Sequence, residues 1–542
     1  MDNFVPHADV ANLAKPRGRR TLYAMRTWHK LAAAAVIVFL GGCGGGTSPS
    51  AIPPVPLPTG DSVLTQADVQ SIVLATAATV NQPLVIAISD RRGVILAIYA
   101  NANAPATVAG NFGEMLPVQD VAAGLARTAA YFSNDQAPIG SRTVRFLSGI
   151  HFPPGVSDTE AAPLYGIENT NRGCNFNVTY LPGQSIPILS SITGVPFGPG
   201  MLTGKPNVTD SSPEPLNPIL NPGGVPIFKN NTVAGGIGVA GSDPATVEYA
   251  AVAGISSAGI ANVSFVLNPL PPPGAVVVNG VTLPFVNQTT LPAGDQPGPA
   301  PGSSSFISGP IAGTGVAPEE DLIAETGSTQ GGLALADVQS IVQLAVATAN
   351  QTRAAIRLPP GVRAHFVISV ADLDGHLLAL YRMHDATMFS VDVAVAKSRN
   401  VIYFSGPGYV DLPGIPQGTA VTNRTIGFGS QPLFPSGIDG TPPGPFYSGV
   451  FLNDVAHPCT QGSQAANANQ SGVVFFPGSV PLYRNGILVG GLGVSGDGVD
   501  QDDYVAAGGA VNFQAPANIR ADQVVINGVR MPYQKFPRNP TE

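Results

Sequence analysis

Apolar residues in the chain fall into a short series of alternating patterns. In "LALADVQSIVQLAVATA" the apolar positions Val338, Ile341, Val342 and Ala345 follow the i, i+3, i+4, i+7 stripe, and Gln339, Ser340 and Gln343 lie off it. That spacing predicts a helix with one buried face. Asp337 stands in its first turn, where a carboxylate complements the helix dipole. Next, "HFVISVADLDGHLLALYRM" is rich in β-branched and long apolar residues and is broken at Asp374-Gly375, which predicts two antiparallel strands around a tight turn. A second helix is expected over Val391–Phe404. After a long Pro/Gly-rich stretch, "VPLYRNGILVGGLGV" predicts another hairpin turned at Asn485-Gly486, and a last helix begins near Asp497 and Asp500. Helices mixed with antiparallel strands place the chain in the α+β class.

The same series occurs earlier. "ADVQSIV" stands at Ala67–Val73 and again at Ala336–Val342, and "AISDRRGVILAIY" (Ala87–Tyr99) answers to "SVADLDGHLLALY" (Ser369–Tyr381). Asp120–Phe132 answers to Asp392–Phe404, Gly223–Gly241 to Gly478–Gly496, and Val276–Phe285 to Val524–Tyr533. Arg142, Phe152 and Tyr165 recur as Arg424, Phe434 and Tyr447 at one constant offset. Six ordered blocks predict two tandem copies of one domain, over 62–286 and 333–536, each long enough to enclose a core. The first copy's opening stripe keeps Val69, Ile72 and Val73 and weakens at Thr76. Residues 287–332 include "PAGDQPGPAPGSSS" and few large apolar residues, so they are expected to form a linker, with "PEEDLIAE" a solvated strand of it.

Composition changes the picture at the N-terminus. Arg17, Arg19, Arg20, Arg26 and Lys30 precede an apolar run, Leu31–Leu40, that ends in Leu40-Gly41-Gly42-Cys43. The run is too short for a spanning helix. It has the form of an export signal whose lipobox ends at Cys43, the expected lipidation site, with residues 1–43 as signal and 44–61 as tether. Without residues 1–42 the chain has 20 basic and 32 acidic residues, a formal charge of −12. Such a surface repels phosphate backbones, which argues against nucleic acid as a partner. The expected location is the periplasmic side of the cell envelope, held to a membrane by lipid. Two further cysteines, Cys174 and Cys459, occupy equivalent regions of the copies. In an oxidising compartment they are expected to form a disulfide, with two separate buried thiols as the alternative.

The phrases "LALADVQSIV", "VADLDGHLLALYRM", "DVAVAKSRNVIYF" and "GSVPLYRNGILVGGLGVSG" resemble, in order and spacing, the GlcG/HbpS haem-binding family. The resemblance covers nearly the whole of each copy. It implies a mixed, mainly antiparallel sheet flanked by helices, arranged here as a pseudo-dimer of the two copies, and haem or another tetrapyrrole as ligand. The family also includes modules attached to corrinoid enzymes and tends to form oligomers, so a second copy of the chain (a homo-oligomer) or an envelope protein is the further partner expected. The copies differ where the family phrase is most specific. The second has "YRMHDATMFS" and the first "YANANAPATV", and Lys397 aligns with Leu125 while Arg399 aligns with Arg127. The second copy is therefore the expected binding copy.

Chemistry-bearing residues are few. His365, His376 and His384 flank the hairpin of the second copy, and Pro83, Val94 and Ala102 stand at the matching places in the first. Pairing around Asp374-Gly375 is expected to bring His365 close to His384. Neutral imidazole is the usual axial ligand of haem iron, so His376 and His384 are the candidate metal ligands. Arg382, Met383, Lys397 and Arg399 are the remaining candidates for holding a tetrapyrrole and its carboxylates; surface hairpin polarity is the alternative for the histidines. Gly236-Gly238-Gly241 and Gly491-Gly493-Gly496 both fit G-x-G-x-x-G, but late in each domain and with no acidic residue about twenty positions on, so close strand–helix packing is the preferred reading over a dinucleotide site. "DGVDQDD" gathers four carboxylates without EF-hand spacing. Signatures of serine hydrolases, zincins and CxxC redox proteins are missing. The function expected is an exported, lipid-anchored haem-binding protein. The alternatives are a cofactor-free envelope interaction protein, or an enzyme of the same fold acting on haem or iron.

Overall fold

The structure is a computed structural model that describes residues 63–542 except 111–114, 150, 154–155, 157, 160–163, 168–169, 171–220, 268–275, 279, 300–304, 314–316, 331, 409–410, 458–459 and 466. Cys43, Cys174, Cys459 and the export signal lie outside the described residues. Among the described residues no helix is long and apolar enough to cross a membrane.

The first half opens with α1 (Gln66–Ala77), capped by Thr65, whose hydroxyl accepts from Asp68 N while Asp68 accepts from Thr65 N. Strands β1 (Val85–Asp90) and β2 (Ile95–Ala100) follow, then a small hairpin, β3 (Thr107–Ala109) and β4 (Met115–Pro117), and helices α2 (Val118–Phe132) and α3 (Ser141–Leu147). Strands β5 (Gly224–Lys229) and β6 (Thr232–Ala240), helix α4 (Pro244–Ser257), a second small hairpin β7 (Val277–Val278) and β8 (Val281–Thr282), and strand β9 (Phe306–Ser308) complete it. The second half runs β10 (Glu320–Ile323), α5 (Leu335–Ala349), β11 (Phe366–Ala371), β12 (Leu377–Arg382), α6 (Phe389–Ser405), α7 (Asn423–Gly429), α8 (Leu452–Ala456), β13 (Ser479–Arg484), β14 (Ile487–Gly496) and α9 (Val499–Gly509).

Two five-stranded antiparallel sheets result, ordered β5-β6-β1-β2-β9 and β13-β14-β11-β12-β10. Equivalent strands occupy equivalent places, and the bulge at Ile88/Ser89 answers to one at Val370/Ala371. Both faces of each sheet are covered. In the first, Ile86 and Ile88 pack with α1 and α4, while Val85 and Ala87 pack with α2. Burial on both faces explains why the strand is a continuous apolar run, Leu84–Ile88, with no polar alternation.

The G-x-G-x-x-G phrases have a steric role. A Cβ on Gly236 or Gly238 would stand 2.1 or 1.9 Å from the carbonyl oxygens of Ala126 and Ala122 in α2; Gly491 and Gly493 meet Ser398 and Ala394 of α6 at 2.2 and 2.1 Å. Side chains there are excluded by the helix that precedes the strand in sequence.

The segment 287–332 differs from a free linker. Phe306 pairs with Tyr99 and extends the first sheet; Glu320 and Asp321 pair with Arg382 and Tyr381 and extend the second. "PEEDLIAE" therefore holds an edge strand. The outer edges of β2 and β12 present unpaired backbone donors and acceptors, and this segment satisfies them.

Candidate functional site

The candidate residues begin on the hairpin of the second half. Val367 pairs with Arg382, which sets His365 and His384 opposite each other just beyond the strand ends, with ring centroids 6.4 Å apart. His384 Nδ1 lies 2.9 Å from Glu319 Oε2, and the other oxygen of Glu319 accepts from Asp385 N at 2.8 Å. The hydrogen bond with Glu319 raises the His384 pKa against an opposing effect of burial. His384 is one-third exposed. His365 is the reverse: burial, then the nearby Arg357 guanidinium, pushes it down to about 4, and its Nδ1 has no hydrogen-bond partner. A carboxylate on Nδ1 is the usual way to orient an imidazole that ligates through Nε2, so Glu319 and His384 fit an axial iron ligand.

His376 does not join them. It sits at the turn, mostly exposed, near Asp372, and the whole of β12 separates it from His384, roughly 26 Å of extended chain. The expected His376–His384 ligand pair is thus not assembled within one chain. Nor are the three expected cations free. Arg382 is buried and donates to Ala386 O and Pro318 O. Arg399 donates to Gly375 O at 2.9 Å, as Arg127 does to Gly93 O at 2.8 Å, so both brace a helix to a hairpin turn. Lys397 is fully buried and donates to Asp502 Oδ2 at 2.9 Å and to Val494 O at 2.8 Å. Met383 is part of the core. Iron has a candidate ligand here, whereas tetrapyrrole carboxylates find none of these three cations free.

Asp385 organises the surroundings. It adopts φ 50° and accepts from Arg357 at 2.8 Å, from Arg91 at 3.3 Å and from Asp135 N at 2.9 Å. Arg91 comes from the β1–β2 turn and Asp135 from beyond α2, so this ion cluster joins the two halves. Burial would raise the Asp385 pKa, but the two guanidiniums outweigh it and hold it low. Burial and the charge of Asp385 push Asp135 up to about 6. Arg357 also pairs through Nε with Asp497, whose same oxygen accepts from His365 N. Sequence reasoning passed over Arg357. A signal was present: seven residues join α1 to β1, but sixteen join α5 to β11, and the extra stretch carries Arg357.

The four carboxylates of "DGVDQDD" are each answered by a base. Asp497 meets Arg357, Asp500 and Asp503 meet Arg424, and Asp502 meets Lys397. No group of three or more metal-ligating side chains forms among the described residues.

Beside this cluster lies a small, partly open cavity of about 40 Å³. Phe132 and Ile139 from the first half face Phe389, Phe476 and the turn Ser495–Asp502 from the second. Phe132 and Phe389 stack at 4.1 Å.

Residues 333–510 match the family model described as haem degrading protein HbpS-like. The matched segment contains His365, His384, Arg357 and the wall of the cavity from Ala355 to Asp502. A stretch of 155 residues is 28% identical to the corrinoid adenosyltransferase PduO of Salmonella typhimurium, covering 29% of this chain and 34% of that protein. The chain thus spans about a third of the length of the curated relative it matches. Similar solved structures are a complex titled PduOC:heme, at 22% identity with 34% of this chain and 96% of that one covered (TM-score 0.23), and a double mutant of Streptomyces reticuli HbpS, at 18% identity with 36% and 97% covered (TM-score 0.21).

Proposed function

We propose that the HbpS-like segment binds haem or a related tetrapyrrole, with His384 as the iron ligand. The family match carries this reading, and the Glu319–His384 pair is the feature that fits it. When bound, haem supplies an iron centre able to take an axial base. Glu319 fixes the imidazole tautomer by accepting from Nδ1, which leaves Nε2 as the ligating atom. Arg382, Lys397 and Arg399 are bonded within the chain and would have to leave those partners to pair with haem carboxylates. The test is a hemin titration followed in the Soret band. His384→Ala should weaken binding at least tenfold, about 1.4 kcal/mol, and His376→Ala should leave it within twofold. A flat titration of the parent in both iron oxidation states refutes the reading.

The wider proposal is an exported chain of two tandem copies forming a pseudo-dimer, anchored by lipid at Cys43 on the periplasmic side of the cell envelope. Cys43→Ser should move the protein from membrane to soluble fractions; unchanged membrane association rejects the anchor. Mapping under non-reducing conditions should join Cys174 to Cys459. The family description favours one second reading, haem degradation, and loss of the Soret band with a reductant and oxygen would support it.

A further inference from the structure

The turn that carries His384 is held from two sides, and Arg382 joins them. Residues Met383 to Ala386 form a tight turn closed by Ala386 N, which donates to Met383 O at 3.0 Å. Arg382, the last residue of β12, is 1% exposed. Its Nε donates to Ala386 O at 2.9 Å and its Nη2 to the same oxygen. Its Nη1 donates to Pro318 O at 2.9 Å and lies 3.6 Å from Glu319 Oε1. One planar fork thus grips the end of the His384 turn and the residue before Glu319 together, which a single-point cation could not do. Glu319 completes the connection: its Oε2 faces His384 Nδ1 at 2.9 Å, and its Oε1 accepts from Asp385 N at 2.8 Å.

The first half shows that the turn alone does not need this arginine. Ala100 and Ala102 stand where the second half has Arg382 and His384, and Asn103 keeps the positive φ of Asp385. The closing bond there, from Ala104 N to Asn101 O, is longer at 3.4 Å. A buried guanidinium is costly unless it is answered. Its presence in the second half alone goes with what that half adds, the histidine and the carboxylate that faces it. Glu319 lies upstream of the matched residues 333–510, on the segment that links the halves. We propose that Arg382 is a positioning residue for His384: by bridging Pro318 and Ala386 it fixes Glu319 against the imidazole, so that the connecting segment completes the site. This positioning serves the proposed iron ligand and rests on that reading for its purpose, while the ring orientation itself does not.

The test uses the full chain with nitrogen-15-labelled histidine in four forms: parent, Glu319→Gln, Arg382→Gln and the double variant. In the haem-free parent at pH 9 the nitrogen shifts of His384, assigned with His384→Ala, should report the proton on Nδ1. Arg382→Gln should lose that bias as Glu319→Gln does, and return the ring toward the tautomer mixture of a free imidazole. Losing an outer partner of a ligating histidine typically costs about 10–100-fold in metal affinity. Hemin binding should therefore weaken at least tenfold in Glu319→Gln and at least fivefold in Arg382→Gln, and the double variant should fall within twofold of Glu319→Gln. A merely structural arginine would lower the melting point without moving the tautomer, and its loss would add to that of Glu319. Should Arg382→Gln fail to fold, Arg382→Lys serves instead: its ammonium cannot span Pro318 and Ala386 as the fork does, so the Nδ1 bias should fall there also. A folded Arg382 variant with the parent's tautomer, or additive losses in the double variant, would overturn the proposal. A flat hemin titration of the parent with the tautomer change intact would overturn only the haem reading.

Discussion

The Lys397–Asp502 pair is fully buried, and the sequence-equivalent positions in the first half, Leu125 and Val247, are both apolar and buried as well. One architecture thus tolerates an ion pair in one half and a hydrocarbon pair in the other, which permits a mutant cycle with a defined expectation. Removing one member of a buried pair leaves an uncompensated group and typically costs about 3–5 kcal/mol, while replacing both by apolar residues of similar volume is often neutral or stabilising. Lys397→Leu and Asp502→Val should each lower stability by about 3–5 kcal/mol, and the double variant should fall within about 1 kcal/mol of the parent. For a domain of this size each single change amounts to a melting-point drop of roughly 6–20 °C.

The two single variants should also respond oppositely to pH. Burial pushes the Asp502 carboxyl up to about 7 even with Lys397 present. Without the lysine the acid stays protonated at pH 6, so Lys397→Leu should be milder at pH 6 than at pH 9. In Asp502→Val the orphan is an amine whose pKa burial already lowers; it is neutral at high pH, so this variant should be milder at pH 9. Urea denaturation followed by near-ultraviolet circular dichroism at both pH values measures all four proteins. A double variant as unstable as the sum of the singles would show that the groups are not coupled and would refute the reasoning.

Gly238→Ala and Gly493→Ala should each cost more than about 3 kcal/mol, since a Cβ would stand 1.9 and 2.1 Å from helix carbonyls; expression and melting of each variant check it, and a drop under 1 kcal/mol would contradict the close-packing role. His365, held near pKa 4 in the fold, stays neutral while the unfolded chain protonates near 6.5, so the stability it contributes is lost as pH falls from 6.5 toward 4. The parent should lose up to about 3 kcal/mol relative to His365→Gln across that window. Asp385→Asn keeps a side chain that tolerates φ 50° but removes the charge facing Arg91 and Arg357, and should destabilise by about 3 kcal/mol. Arg91→Ala leaves the Arg357 pairing in place and should cost less by denaturant midpoint.

The parts legible in the sequence were those set by local rules. Gly375 has φ 77°, a conformation that favours glycine, so Asp-Gly located the turn, and pairing outward from it placed His365 opposite His384. The edge strands β9 and β10 were not legible: three or four residues in a Pro/Gly-rich stretch carry no usable periodicity, and it is the open edges of β2 and β12 that decide their pairing. Residue type announced that Arg382, Lys397 and Arg399 could hold carboxylates. It did not announce direction, and all three turn inward to carbonyls or a buried acid once the helix and hairpin pack. The cavity was illegible for a similar reason, since its walls come from both halves of the chain, from Phe132 to Val278 and from Ala355 to Asp502.

The contact between the halves shows what joining them in one chain permits. Two identical chains meeting about a twofold axis repeat every contact twice. One contact here is mutual, though between positions one residue out of register: Asp158 N donates to Asp439 and Asp439 N donates to Asp158, both at 3.2 Å. The ion cluster is not. Arg91 in one hairpin turn reaches Asp385 beyond the other hairpin, yet the sequence-equivalent positions are Leu373, which is exposed, and Asn103. Asn103 keeps the left-handed backbone, φ 70°, of Asp385 without its charge. Arg357 lies in the longer connection between α5 and β11 and has no counterpart at the shorter one. One end of the contact therefore carries a buried guanidinium–carboxylate network that includes Arg91, Arg357, Asp385 and Asp497, with His365 attached, and among the described residues the equivalent positions Leu373 and Asn103 do not repeat it. Such polarity requires two unlike halves, and among the described residues it places His365 and His384 at the end that carries the network.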